Sequence, residues 1–227
     1  MTAPDLPASP AHVPDPDAWV PRFSRATRWV HRTTAALMGV AMATASALYL
    51  EPVAVAVGHR HLVAQIHVLA GLLLPVPLLV GFVHRAVRAD VSALDRFDPV
   101  DSEWLRARDR RSGRLAVGKF NAGQKLNAAL SAGGVLVMLG TGVIMRWPQT
   151  WPLFLRTGAT FVHDWVAFSL LLLVAGHVWF AARDPVARRG MRSGAVPRSW
   201  AVREHRGWAD HRYAGGDGAD GTSRQVR

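Results

Sequence analysis

The chain has 227 residues, 50% of them apolar, with a formal net charge of +11 and no cysteine. The missing cysteines exclude disulfides, thiolate zinc sites, Cys-ligated iron–sulfur clusters and thioether-linked haem, so any redox centre must use other ligands. The excess of base does not indicate nucleic acid, because its distribution along the chain has another cause.

In chain order, residues 1–20 are rich in Pro, Ala and Asp, with no basic stretch leading into an apolar one. They read as a disordered extension rather than a signal peptide. Four windows then carry almost no acids or bases: about 29–50, 62–84, 126–146 and 159–182. Each is close to the roughly 20 residues a bilayer core requires, whereas a soluble core helix is usually shorter and keeps a polar face. The expected fold is all-α, an integral membrane four-helix bundle over residues 21–182. The bases orient it. Arg22, Arg25, Arg28 and Arg32 open the first helix, ten Lys and Arg lie between Arg85 and Lys125, and ten follow Ala182. The opposite loops hold only Arg60, Arg146 and Arg156. By the positive-inside rule both termini are cytoplasmic, and residues 183–227 form a basic cytoplasmic tail of a cell-membrane protein. Pro75 and Pro77 are expected to bend the second helix. The charged loop after it, with Asp90, Asp95, Asp98 and Asp101 among its bases, is expected to fold over the inner mouth of the bundle.

Ten histidines are present, and their depth matters more than their number. His12, His205 and His211 fall in tails, His59 and His61 in an outer loop, and His84 where the second helix emerges. Those six read as solvated or interfacial. His31, His67, His163 and His177 lie inside apolar helices, where ionisable residues are costly and generally mark function. His163 and His177 are 14 residues apart, so they project from nearly one face and are separated by about 21 Å along the axis. By depth, His31 pairs with His177 near the inner surface and His67 with His163 near the outer one. Two such pairs stacked across one bilayer are what two bis-imidazole b haems require. A zinc site needs a compact tetrahedral cluster, and a proton relay needs intervening carboxylates; neither pattern is present.

Several segments resemble the membrane cytochrome b (gamma) subunit of respiratory formate dehydrogenases, within the bacterial dihaem cytochrome b561-type group. They are Arg28-Trp29-Val30-His31, Gln65-Ile66-His67 with Gly71, the run from Gly118 to Lys125, Thr141-Gly142-Val143-Ile144, the His163–His177 interval, and Trp200-Ala201, His205 and Trp208. The likeness extends from Arg22 to about Trp208, and the Gly118–Lys125 run is its most specific part. It implies the same histidine pairing and two b haems as cofactors. It also implies a site for menaquinone or another quinone lined by Asn121 and Gly123 near His177, with the Gln124 amide a further hydrogen-bond donor or acceptor. As partners it implies an iron–sulfur (beta) subunit and a molybdenum or tungsten catalytic (alpha) subunit. The chain itself is then a non-catalytic electron-transfer subunit. Two residues depart from the family pattern: Arg32, where the family often has Trp, and Asp164. A cytochrome b of a hydrogenase or another molybdoenzyme shares the four histidines, and a haem-free anchor or transporter is the alternative outside redox chemistry.

Overall fold

A computed structural model describes residues 18–213, so most of the expected N-terminal extension lies outside the described residues. Trp19 and Val20, assigned to that extension on composition, form a strand, β1 (Trp19–Pro21). Four stretches of long helix follow. Ser24 opens α1 (Arg25–Tyr49), its side chain accepting the Thr27 N–H at 3.0 Å, which satisfies a first-turn donor. The extended residue Leu50 ends α1, and a short helix, α2 (Glu51–Val57), turns away from it by 102°. The second stretch consists of α3 (Arg60–Leu73) and α4 (Val76–Gly81), interrupted at Leu74–Pro75. A proline there removes a backbone donor and crowds the preceding turn.

Two amphipathic helices, α5 (Arg85–Asp95) and α6 (Pro99–Arg106), make up the charged loop. They lead to α7 (Ala122–Arg146) and α8 (Leu153–Arg183). Both long helices begin earlier than the apolar windows do, α8 because a helix can continue past the bilayer into water. With 31 residues α8 is about 46 Å long, against a hydrocarbon core of about 30 Å. The start of α7 has a different cause: Lys125 is buried against Asp101, so it does not mark the edge of the helix.

Among the described residues, the spans Arg60–Gly81, Ala122–Arg146 and Leu153–Arg183 are each long and apolar enough to cross a membrane, and the bent pair α1–α2 is a fourth candidate. Arg25, Arg28, Arg32 and four threonines dilute α1. The chain is thus an all-α membrane protein in its long elements. Helices α7 and α8 pack closely, as do α1 and α3, while α3 meets α7 more sparsely and α8 approaches α1 and α3 least. One close contact is made at Gly134, where a Cβ would stand 2.7 Å from Leu170 Cδ2. Most large apolar side chains of the spans are exposed.

The described residues after α8 are folded: α9 (Pro185–Ser193), β2 (Ala195–Pro197), α10 (Arg198–Glu204) and α11 (Arg206–Tyr213). Strand β2 pairs antiparallel with β1, Val20 opposite Val196. Val20, Val196, Trp200, Ala201 and Ala209 form a small buried core. This cap gathers both ends of the described chain at one end of the helices, where α5 and α6 also pack on α7.

Candidate functional site

The structure brings the four helical histidines together in two pairs. His31 on α1 and His177 on α8 meet at the cap end, with ring centroids 6.2 Å apart and planes at 50°. His67 on α3 and His163 on α8 meet at the far end, at 6.4 Å and 70°. Both pairs join helices that scarcely touch elsewhere. Because α8 is continuous, the 14-residue interval places the pairs about 21 Å apart along it. Leu170, seven residues from each histidine, lies midway on the same face.

The far pair has a defined tautomer. The Thr44 hydroxyl donates to Val40 O at 2.7 Å and Thr141 donates to Val137 O at 2.8 Å. Each hydroxyl oxygen therefore has only acceptor capacity left for the imidazole beside it. His67 Nδ1 lies 3.0 Å from Thr44 Oγ1 and 3.1 Å from Ala41 O, and His163 Nδ1 lies 2.8 Å from Thr141 Oγ1. With the threonine protons so placed both Nδ1 atoms carry the proton, His67 Nδ1 facing the Ala41 carbonyl as well, which leaves Nε2 with its lone pair free to ligate. Gly142 of α7 lies beside this pair, a Cβ there falling 3.6 Å from His163 Cε1, an ordinary contact distance. Among the described residues no three His, Asp or Glu side chains converge as a metal site.

The departures from the family pattern have local explanations. Arg28 Nη1 and Arg32 Nη2 both donate to Arg192 O, at 2.6 and 2.9 Å, in the last turn of α9, where carbonyls lack helical partners. Asp164 lines a shallow cleft at the far end with Arg156 and Pro148.

Asn121 is the N-cap of α7. Its Oδ1 accepts the Gln124 N–H at 2.9 Å, while Gln124 Oε1 accepts the Asn121 N–H at 3.0 Å. This capping box engages both amide oxygens and leaves both NH2 groups as donors. Gly123 faces the Trp104 indole of α6, with Cη2 3.2 Å from where a Cβ would be. The missing side chain therefore admits an aromatic ring of the chain itself.

Of the remaining histidines, His59, His61, His84 and His211 are exposed and His12 lies outside the described residues. His205 corrects the sequence reading. Expected to be solvated, it is only 2% exposed, hydrogen-bonded to Arg22 and to Gly118 O. A run as basic as its neighbourhood gives no local sign of burial, since Arg22 and the backbone at Gly118 reach it from distant parts of the chain.

Residues 22–194 match the family described as prokaryotic cytochrome b561. The chain belongs to that family. Among curated proteins it is 32% identical over 95 residues to the cytochrome b556(Fdn) subunit of the nitrate-inducible formate dehydrogenase of Escherichia coli K12, and equally to those of Escherichia coli O157:H7 and Shigella flexneri. The match spans 40% of this chain and 44% of each relative. As a prokaryotic cytochrome b561 with several apolar spans, the chain is a multi-pass membrane cytochrome b that acts in electron transfer, and the family implies haem b.

Proposed function

We propose that this cytochrome holds two b haems in a four-helix bundle over residues 21–182. His67 and His163 would ligate the outer iron, and His31 and His177 the inner one. Both termini are placed on the cytoplasmic side of the cell membrane, as the arginine and lysine distribution favours. The observation that carries the reading is the spacing within the two pairs, 6.2 and 6.4 Å. A metal–imidazole bond of about 2.0 Å plus about 1.2 Å to the ring centre, taken for both rings, comes to about 6.4 Å, so each pair has the spacing to hold one iron between its imidazoles. The free Nε2 atoms of the far pair and the sparse contact between the helices being joined support the same assignment.

When bound, each haem supplies one-electron ferric–ferrous chemistry at its level of the membrane. The chain's own part is to hold and orient. The four imidazoles fix the haem positions, Thr44 and Thr141 set ring rotation, and the apolar helices exclude water. At the cap end the amide NH2 groups of Asn121 and Gln124 are the donors available to a quinone carbonyl, with Gly123 and Trp104 beside them. Electrons enter on the outer side from an iron–sulfur subunit and reduce menaquinone or another quinone on the inner side, two electrons and two cytoplasmic protons per quinol. The likeness to formate dehydrogenase cytochrome subunits favours a complex whose molybdenum or tungsten subunit oxidises formate.

Haem quantification of the purified chain decides the core of this reading, with about two b haems per chain expected. His67→Ala should lose the outer haem and keep the inner one. One haem or none in the folded wild type, or loss of both in His67→Ala, contradicts the assignment. Asn121→Asp keeps the helix cap but removes the donor. It should slow quinone reduction about tenfold, the loss of roughly one hydrogen bond, and unchanged kinetics would remove Asn121 from the site.

A further inference from the structure

A buried guanidinium is costly unless its donors are paired, yet Arg22 is only 4% exposed. Burial pushes it down to about 10 against the pull of Asp184, Asp90 and Glu204, which leaves it charged at neutral pH. Its Nη2 donates to Lys119 O at 2.9 Å and lies 2.9 Å from His205 Nε2. A guanidinium only donates, so Nε2 accepts, and His205 Nδ1–H donates to Gly118 O at 2.7 Å. Burial, then the Arg22 charge, hold His205 well below the usual histidine range, so it stays neutral and keeps this pattern. The rings of Trp200 and Phe23 flank the guanidinium, at 4.6 and 5.0 Å.

The same tail grips the preceding residues. Trp208 N–H donates to Val117 O at 3.2 Å, and a Cβ at Gly207 would fall 2.5 Å from Ala116 O. The carbonyls of residues 116–119 thus all meet the N-terminal segment or the tail, two residues before the Asn121 cap. On the other side Lys119 Nζ is bonded to Asp90, which also accepts the Thr27 hydroxyl at 2.8 Å.

We infer that Arg22 and His205 are positioning residues of the quinone site: by gripping the backbone at Gly118 and Lys119 they fix where the Asn121 and Gln124 donors stand. The inference rests on the quinone reading above. Stability alone does not account for the network, because apolar replacements of buried charged groups are often neutral or stabilising, and α7 already has its own capping box. Small misplacements of a binding group carry large costs in rate and affinity.

The test uses the haem-loaded full chain and menadione as probe, measuring Kd by titration calorimetry and KM and kcat for reoxidation of the dithionite-reduced haem. His205→Phe keeps a ring against Trp200 but loses both hydrogen bonds, whereas His205→Gln can donate to Gly118 O and accept from Arg22. His205→Phe should raise Kd and KM about tenfold at near-normal kcat and haem content, and His205→Gln should restore them to within about threefold. A His205→Phe protein with full haem and wild-type Kd and KM overturns the inference. A wild type that binds no menadione overturns the quinone reading itself. Should His205→Phe fail to hold haem, Arg22→Lys decides, since it keeps the charge but not the guanidinium geometry; unchanged Kd and KM there overturn the inference equally.

Discussion

The Thr44 and Thr141 hydroxyls act on the far histidines through a single proton position each. With the threonine protons committed to Val40 O and Val137 O, the imidazole Nδ1–H bonds raise the basicity of the ligating nitrogens. Thr141→Val deletes one of these bonds with little change in volume. In the proposed dihaem protein it should leave haem content unchanged and raise the midpoint potential of the outer haem alone, since a less basic ligand stabilises the oxidised iron less. A hydrogen bond contributes about 1 kcal/mol and 1.4 kcal/mol corresponds to about 59 mV for one electron, so the expected rise is on the order of 10–40 mV. A redox titration checks it, and an unmoved outer potential contradicts the role given to Thr141. Neither threonine had a histidine partner legible in the sequence, although Thr141 falls in a segment that carries the family resemblance, because each lies 22 or 23 residues from its histidine and reads locally as an ordinary helix residue. The two histidine pairings were legible, because depth along a helix follows directly from residue count.

The elements are held at unequal distances. Helices α7 and α8 touch where Gly134 meets Leu170, while α8 stays away from α1 and α3, which keeps space between the paired histidines. Gly134→Val should push α7 from α8 and destabilise the fold by about 1–3 kcal/mol, the usual cost of overpacking. Heating membranes while following haem absorbance should show loss at a lower temperature than in wild type, whereas Gly133→Ala, at a position with open space around it, should leave the curve in place. Equal curves for wild type and Gly134→Val would show that this contact does not hold the pair. The apolar windows located the long helices but not their ends. Ser24 and Asn121 set the starts of α1 and α7 by capping backbone donors, and caps do not depend on the membrane-spanning length.

At the scale of the whole molecule, the cap closes on itself only because both ends of the described chain reach the same end of the helices. The proposed orientation assigns that end to the cytoplasm, and the absence of cysteine makes this directly testable. A membrane-impermeant maleimide added to intact spheroplasts should label Gln149→Cys, in the loop between α7 and α8, and leave Ser112→Cys unlabelled until the membrane is opened. The reverse pattern would invert the direction assigned to electron and proton uptake.

The sequence by itself determined the membrane class, the windows that become long helices, the charge asymmetry and the positions of the four helical histidines along their helices. All of these follow from local composition or from residue count along one helix. Only the tertiary structure decided what requires distant segments to meet. It decided the tautomers set by Thr44 and Thr141, the approach of α7 to α8 at Gly134, the placement of Trp104 over Gly123, and the folding of a basic tail into a cap. The clearest case is Arg22 with His205, separated by 183 residues. Each alone reads as a solvated base, and their burial follows from the pairing of β1 with β2 and from the carbonyls of Gly118 and Lys119 that the two side chains satisfy.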